Sequence, residues 1–444
     1  MRILDWASLD EVARRAALAR PCPTTDGNIA AVVRQVIDGV RARGDDAVRE
    51  YTQRFDGMQL EALAVTPGEF RSARSALTGP QTEALQRAIN NVQTFHAAQQ
   101  PRPLSLETEP GVRCEQLLRP LDAVGLYVPA GTAPLPSTVV MLAVPARIAG
   151  CRQRVLLTPP QRDGRAHAAV LTAAQLCGID TVFKVGGAQA IAALAYGTHS
   201  IPKVDKIFGP GNAWVTTAKQ LVAHDPGGAA FDLPAGPSEV LVIADAQARA
   251  DFVAADLLAQ AEHDTLAEAI LVTDSHALAQ QVAAQIAVQR AALSRASILA
   301  LSLQACRCLL VADLDTAFEV SNAYAPEHLI LQVREPRRWL SRVHSAGAVF
   351  LGAWSPEPFG DYCSGSNHVL PTNGHARTLS GLSVRDFMKT IAVQELSREG
   401  LAALGPTAVT LALLEGLDAH ASAVTRRLRQ LESAGTPSAA QVLP

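Results

Sequence analysis

The feature that most constrains the fold is a series of short apolar runs, rich in β-branched residues, that recur from residue 154 onward. They are RVLLTPP, TVFKVGG, KIFGPG, EVLVIAD, AILVTDS, CLLVADL, HLILQV and AVFLG, and helical patterns lie between many of them. Apolar strands alternating with helices predict parallel sheets covered on both faces, so the fold class is α/β. The two ends of the chain have a different texture. The pattern is helical from Ser8 to about Tyr51, over 82–100 and over 401–429. Ser8 and Glu11 have the spacing of a capping box. SAGTPSAAQVLP at the end reads as a frayed tail.

At 444 residues the chain has room for about three domains of ~150 residues. VPAGTAPLPS (128–137) and LPAGPSEVL (233–241) both carry Pro-Ala-Gly followed by Pro-Ser. They predict two neighbouring crossings into and out of an inserted α/β domain over 133–235. The first α/β domain is then discontinuous, 26–132 plus 236–380, between a helical segment over 1–25 and a helical tail domain over 381–444.

Net charge of −3 argues against a nucleic-acid partner. The basic run REPRRWLSR (334–342) reads as a solvated helix face. Seven cysteines, an odd number in a long chain, fit reduced thiols in a cytoplasm. Cys306-Arg-Cys308 lacks the spacing of a zinc knuckle and reads as strand. The N-terminus has no continuous apolar stretch of the signal-peptide kind. Residues 123–146 carry no charge and have the length of a bilayer span, but Pro129, Pro134, Pro136 and Pro145 predict buried loops and strands instead.

Against this background a few polar clusters stand out. In LLAQAEHD (257–264), Gln260 and His263 are three apart and share a helix face, with Asp256 one turn earlier. Such a face can offer a metal an oxygen and a nitrogen, but spacing alone favours an ordinary surface helix. The Gly/Ser/Asn-rich stretch 357–376 carries Asp361 and His368, on what reads as a loop. AYAPEHLIL puts Glu327 and His328 at the mouth of a strand, where adjacent residues point different ways and can serve separate proton transfers. LLEGLDAHA supplies Glu415 and His420. KVGGAQAIAAL (184–194) and KIFGPGNAWVTTAKQ (206–220) each read as strand, Gly-rich turn and helix start, a geometry that suits phosphate. Neither completes G-x-G-x-x-G, so a nucleotide site is open on pattern alone.

Taken together, KVGGAQAIAALAYGT, KIFGPGNAWVTTAK, DLPAGPSEVLVIAD, DLLAQAEHD, APEHLIL and GDYCSGSNHVLPT occur in the order and spacing of the histidinol dehydrogenases, and the chain resembles that family over nearly its whole length. The resemblance implies two Rossmann-like domains in an intertwined homodimer. It implies NAD-dependent, four-electron oxidation of L-histidinol to L-histidine through a bound histidinaldehyde, the last step of histidine biosynthesis, in the cytoplasm and away from any membrane. It implies one zinc per subunit on Gln260, His263, Asp361 and His420, the last reaching across to the partner subunit. Substrate contacts map onto Ser238, Gln260, His263, His328, Asp361, His368, Glu415 and His420. NAD contacts map onto Tyr127, Gln189 and Asn212, and the proton-transfer pair onto Glu327 and His328. Cys363 receives no role. His328 is expected to take the alcohol proton and Glu327 to activate the water that adds to the aldehyde. Two other readings use the same residue types: a zinc hydrolase or deaminase with no need of NAD, and a metal-binding scaffold in which Glu327 and His328 are dispensable.

Overall fold

A computed structural model describes residues 1–20, 27–130, 133–234 and 236–435. Cys22, the expected boundary at 25, parts of both Pro-Ala-Gly crossings and the tail beyond 435 lie outside the described residues. The strands are β1 (Arg2–Asp5), β2 (Leu104–Glu109), β3 (Val112–Pro120), β4 (Ala123–Tyr127), β5 (Gln153–Thr158), β6 (Val182–Lys184), β7 (Lys206–Phe208), β8 (Ala230–Phe231), β9 (Glu239–Ala244), β10 (Glu268–Thr273), β11 (Arg307–Leu310), β12 (His328–Gln332), β13 (Ala348–Leu351) and β14 (Met388–Leu396). All eight apolar runs form strands.

The chain divides into two compact units, one of Met1–Gln100 with Leu121–Phe387, the other of Pro101–Pro120 with Met388–Pro444. The first holds two parallel sheets, ordered β1-β11-β10-β9-β12-β13 and β6-β5-β4-β7-β8. In each, the strand earliest in its run (β9 or β4) lies inside, and the chain winds first one way and then the other. That is the doubly wound arrangement, with switch points at β9/β12 and β4/β7. Strands β9, β10 and β12 are buried along their whole length, which is why they read as unbroken apolar runs. Val253, Leu257, Leu278 and Leu299 cover one face of the larger sheet; Ala17, Phe318 and Tyr324 cover the other.

The five-stranded sheet opens with β4, ahead of residue 133. Val33, Val36, Val48 and Tyr51, from helices Gly27–Arg43 and Asp45–Asp56, pack against its core. Material expected in the first domain thus covers the second sheet. The other unit pairs β14, β3 and β2 antiparallel and carries helices Arg398–Leu414 and Asp418–Gly435. It starts at Met388 and recruits residues 101–120, so the C-terminal segment is not helical throughout.

Two local expectations need correction. Ser8 does not cap a helix. Asp10 does, accepting from Ala13 N at 2.7 Å, because the chain first makes a short 3-10 turn over Trp6–Ser8. Capping boxes occur instead at Thr66/Glu69 and Thr78/Gln81. Within 123–146, Pro136–Ala149 is a helix despite its prolines. Pro136 occupies the first turn, where the missing N–H costs nothing, and Pro145 sits in a helix buried on nearly every side. No described helix is long and apolar enough to cross a membrane. Cys306 and Cys308 point to one buried face of the sheet, where burial pushes their thiols up to about 11 and about 12. Residues 336–342 form an exposed 3-10 helix held by Trp339 stacking on Phe318.

Charge is buried at the N-terminal edge of the larger sheet. Arg307 Nη2 donates to Glu268 Oε2 at 2.7 Å with both side chains under 5% exposed, and Tyr324 Oη donates to the same oxygen at 3.3 Å. Arg307 also donates to the Ala17 and Ala19 carbonyls, tying the first helix to the sheet. Removing one member of such a pair strands the other without solvent. Arg307→Met is expected to lower unfolding free energy by about 3–5 kcal/mol, read from urea denaturation. A loss within the range of a surface substitution would refute this.

Candidate active site

The helix Ala250–Ala261 ends in the cluster that the sequence singled out. Gln260 lies in its last turn, fully buried; His263 follows the C-cap and holds its ring by Nδ1 against the Ala259 carbonyl at 3.0 Å. Opposite them stands the short helix Pro358–Tyr362, which presents Asp361 and, just before its first turn, Glu357. With its amide nitrogen facing Glu357, Gln260 donates to both carboxylate oxygens at 3.0 and 3.2 Å. That orientation turns the Gln260 carbonyl oxygen to the other side. Asp361 Oδ2 lies 3.7 Å from His263 Nε2, and its Oδ1 lies 3.8 Å from His328 Nε2. One ligand atom from each of His263, Glu357 and Asp361 falls within 4.8 Å of the others, a spacing one cation can bridge. Sequence reasoning missed Glu357. Its signal was its position four residues ahead of Asp361, on the same helical face.

His328 opens β12 and Glu327 immediately precedes it, both buried. They meet the backbone of Glu239, the first residue of β9. The Glu239 N–H donates to Glu327 Oε2 at 2.8 Å, and the Glu239 carbonyl lies 3.1 Å from His328 Nδ1. A carbonyl can only accept, so Nδ1 carries the proton and Nε2 holds the lone pair. Nε2 is buried and has no hydrogen-bond partner among the described residues. His368 sets its Nδ1 2.8 Å from the Asp361 carbonyl and its Nε2 3.2 Å from Thr138 Oγ1. Thr138 belongs to the helix that follows β4, so this contact brings the strand C-termini of the smaller sheet toward the strand N-termini of the larger one. Ser238 precedes β9 and gives its carbonyl to Glu268 N at 3.0 Å.

Burial acts on this site with opposite signs. It pushes the Glu327 carboxyl well above the usual range, against the pull of the Glu239 N–H, and it raises Glu357 likewise. It drives His328 down to about 4 and lowers His368. Asp361 resists: burial raises it, but the approach of His263 and the nearby imidazoles outweigh this and hold it below the ordinary value. Asp256 makes one hydrogen bond, from Gln332 at 3.1 Å, and burial lifts it to about 6. Among groups so separated, the neutral imidazole with an open Nε2 is the natural proton acceptor.

The remaining predicted residues fall in two places. Tyr127 ends β4, and its hydroxyl accepts from Gly187 N at 3.1 Å, at the start of helix Gly187–Tyr196. Burial pushes the phenol up to about 12, so it keeps its proton to donate. Gln189 is nearly fully buried in that helix; its Nε2 reaches Asp56 at 3.4 Å, and its Oε1 is buried without a partner among the described residues. Asn212 caps helix Ala213–Ala223. Before it, Gly209 has φ +120, and a side chain there would meet the Tyr127 carbonyl at 2.1 Å. Buried Lys219 grips this turn by donating to the Gly209 carbonyl and to Asp232, whose other oxygen accepts from Gly209 N at 2.7 Å. Tyr127 and Asn212 thus flank the β4/β7 switch point, where such sheets hold nucleotides. Glu415 and His420, both exposed, belong to the other unit, at the C-cap of helix Arg398–Leu414 and in helix Asp418–Gly435.

The His328 shift has a measurable consequence in chelator-treated protein. Its value is 6.5 in the unfolded chain and about 4 in the fold, so the unfolded chain binds the extra proton between these values. Stability therefore falls as pH drops through that window. Urea midpoints across it should decline, and His328→Asn should flatten the decline; equal slopes in the two proteins would count against a neutral buried imidazole.

The family model described as histidinol dehydrogenase matches residues 20–428. The chain is 55% identical over 428 residues to a histidinol dehydrogenase of Xanthomonas oryzae pv. oryzae, covering 96% of this chain and 99% of the relative. It is 52% identical over 435 residues to that of Vibrio vulnificus, covering 98% and 100%. Its fold matches the crystal structure of histidinol dehydrogenase from Elizabethkingia anophelis with a TM-score of 0.94 at 40% identity, over 97% of this chain and 99% of that one. With a family match across nearly its whole length, the chain belongs to the histidinol dehydrogenases and is an oxidoreductase.

Proposed function

We propose that the protein oxidises L-histidinol to L-histidine by two successive hydride transfers to NAD, with a divalent zinc ion in the site. The reading is carried by the open His328 Nε2, a buried, neutral proton acceptor beside His263, Asp361 and Gln260. These three residues offer an imidazole nitrogen, a carboxylate oxygen and an amide oxygen, a donor set suited to zinc. His420 completes it from the second protomer of a homodimer. When bound, zinc would polarise the substrate hydroxyl, and NAD would accept the hydride.

The chain's own residues do the rest. His328 takes the hydroxyl proton at Nε2 while the Glu239 carbonyl holds its Nδ1–H. Glu327 accepts a proton from the water that adds to the aldehyde. Burial makes its carboxylate a stronger base than an exposed one. Ser238, His368 and Glu415 hold the substrate beside these groups. Tyr127, Gln189 and Asn212 place the dinucleotide at the switch point of the smaller sheet, where the orphaned Gln189 Oε1 supports a ligand-binding role. Exposed Leu411, Leu413, Leu414 and Leu417 flank Glu415 and suit burial in a subunit interface. The six described cysteines are free thiols, in keeping with a cytoplasmic enzyme.

The zinc hydrolase reading shares the metal site but leaves the residues at the β4/β7 switch point without a task. Enzyme mixed with L-histidinol and excess NAD should form about two NADH per histidinol, stop with chelator and recover with zinc. One NADH per substrate would remove Glu327 from the second step, and none would favour hydrolysis. Glu327→Gln should slow aldehyde oxidation by at least ~100-fold while sparing alcohol oxidation; equal losses would refute the division of labour. Separately inactive His420→Asn and His328→Asn chains should regain activity when mixed and reassociated. Continued inactivity of the mixed dimers would refute a shared site.

A further inference from the structure

We propose that Arg20 and Glu239 are positioning residues that set the geometry of the Glu327–His328 pair. The inference rests on the functional reading above. One peptide unit contacts both members: Glu239 donates its N–H to Glu327 and offers its carbonyl to His328 Nδ1. Its side chain is held in turn. Arg20 Nε donates to Glu239 Oε1 at 2.5 Å, Arg20 Nη2 donates to Oε2 at 2.8 Å, and Asn373 N donates to Oε1 at 2.8 Å. The two-pronged contact fixes direction as well as distance.

Arg20 also acts on the other side of the pair. Its Nη2 donates to the Tyr324 carbonyl at 2.8 Å and to the Ala325 carbonyl at 3.3 Å, and its guanidinium lies 3.8 Å from the Tyr324 ring centroid. Ala325 adopts φ 55, a left-handed conformation unfavourable to a residue with a side chain. It stands two residues before Glu327, where the chain turns into β12. A single guanidinium therefore joins the first residue of β9 to the turn that delivers both proton-transfer groups. Its own anchor is Arg307, which binds the carbonyls of Ala17 and Ala19. The line of support runs from Arg307 through the segment ending at Arg20 to Glu239, and from there to Glu327 and His328. Its effect is to hold Nδ1 as the donor and Nε2 as the acceptor, and to keep the Glu327 carboxylate facing the same peptide.

The test compares zinc-loaded, full-length Arg20→Lys and Glu239→Gln with the unaltered enzyme. Lysine keeps the charge but loses the fork; glutamine keeps the shape and the Asn373 bond but loses the charge. Each should lower kcat by roughly 10-fold or more, leave the KM for histidinol and for NAD within about twofold, and keep a cooperative melt. Unchanged kcat in either folded variant, or a change confined to KM, would overturn the proposal. Should Arg20→Lys fail to fold, Glu239→Gln decides alone, since it leaves Arg20 with its Tyr324 and Ala325 carbonyl contacts. Failure of the unaltered enzyme to oxidise histidinol would overturn the functional reading instead.

Discussion

The structure depends on buried charge along the N-terminal edge of the six-stranded sheet. Arg307, Glu268, Arg20, Glu239, Glu327 and His328 stand at or beside the starts of β11, β10, β9 and β12. Each would be costly to bury alone. Each is tolerated because its neighbour supplies the opposite charge or a backbone hydrogen bond. The arrangement also binds distant pieces of chain, since Arg20 and the carbonyls of Ala17 and Ala19 are drawn to residues more than two hundred positions away. Satisfying these polar groups requires the first helix, the β9 start and the β12 start to be in register together. That register puts Glu327 and His328 in fixed positions beside Asp361.

The two sheets make different use of the same winding. The smaller one follows the usual rule: Tyr127 is the last residue of β4 and Asn212 follows the C-terminal end of β7. The larger one reverses it, with Glu327 and His328 at the N-terminal end of β12. The reversal has a physical basis in the Thr138–His368 contact, which brings the helix after β4 to the N-terminal edge of the larger sheet. Residues that follow β4 and residues that open β12 can then face one region from opposite sheet polarities. At the β4/β7 switch point, the Lys219–Asp232 pair holds both backbone groups of Gly209, which fixes the turn.

Several features were legible residue by residue. The eight strands show because strands buried on both faces must be continuously apolar. Gln260 and His263 show because helical spacing places them together. Asp361, His368, Glu327 and His328 show as polar residues crowded into turn-rich or strand-mouth segments. Their convergence with Gln260 and His263 could not be read from spacing, because the three segments follow β9, open β12 and follow β13. Glu357 was missed since a lone glutamate ahead of a short helix resembles a cap, and only its burial against Gln260 marks it out. Arg20 and Glu239 gave no signal at all: an arginine after a helix and a glutamate opening a strand are ordinary until they are found paired.

The sequence alone determined the α/β class and the family, and it singled out Gln260, His263, Glu327, His328 and Asp361 as candidates. Periodicity and residue type are local properties that survive without a fold. Only the tertiary structure decided which nitrogen of His328 is open, which groups burial drives apart in pKa, and that one peptide of Glu239 contacts both Glu327 and His328. Those properties come from desolvation and from hydrogen bonds between residues far apart in the chain, and neither exists until the strand edges are brought together.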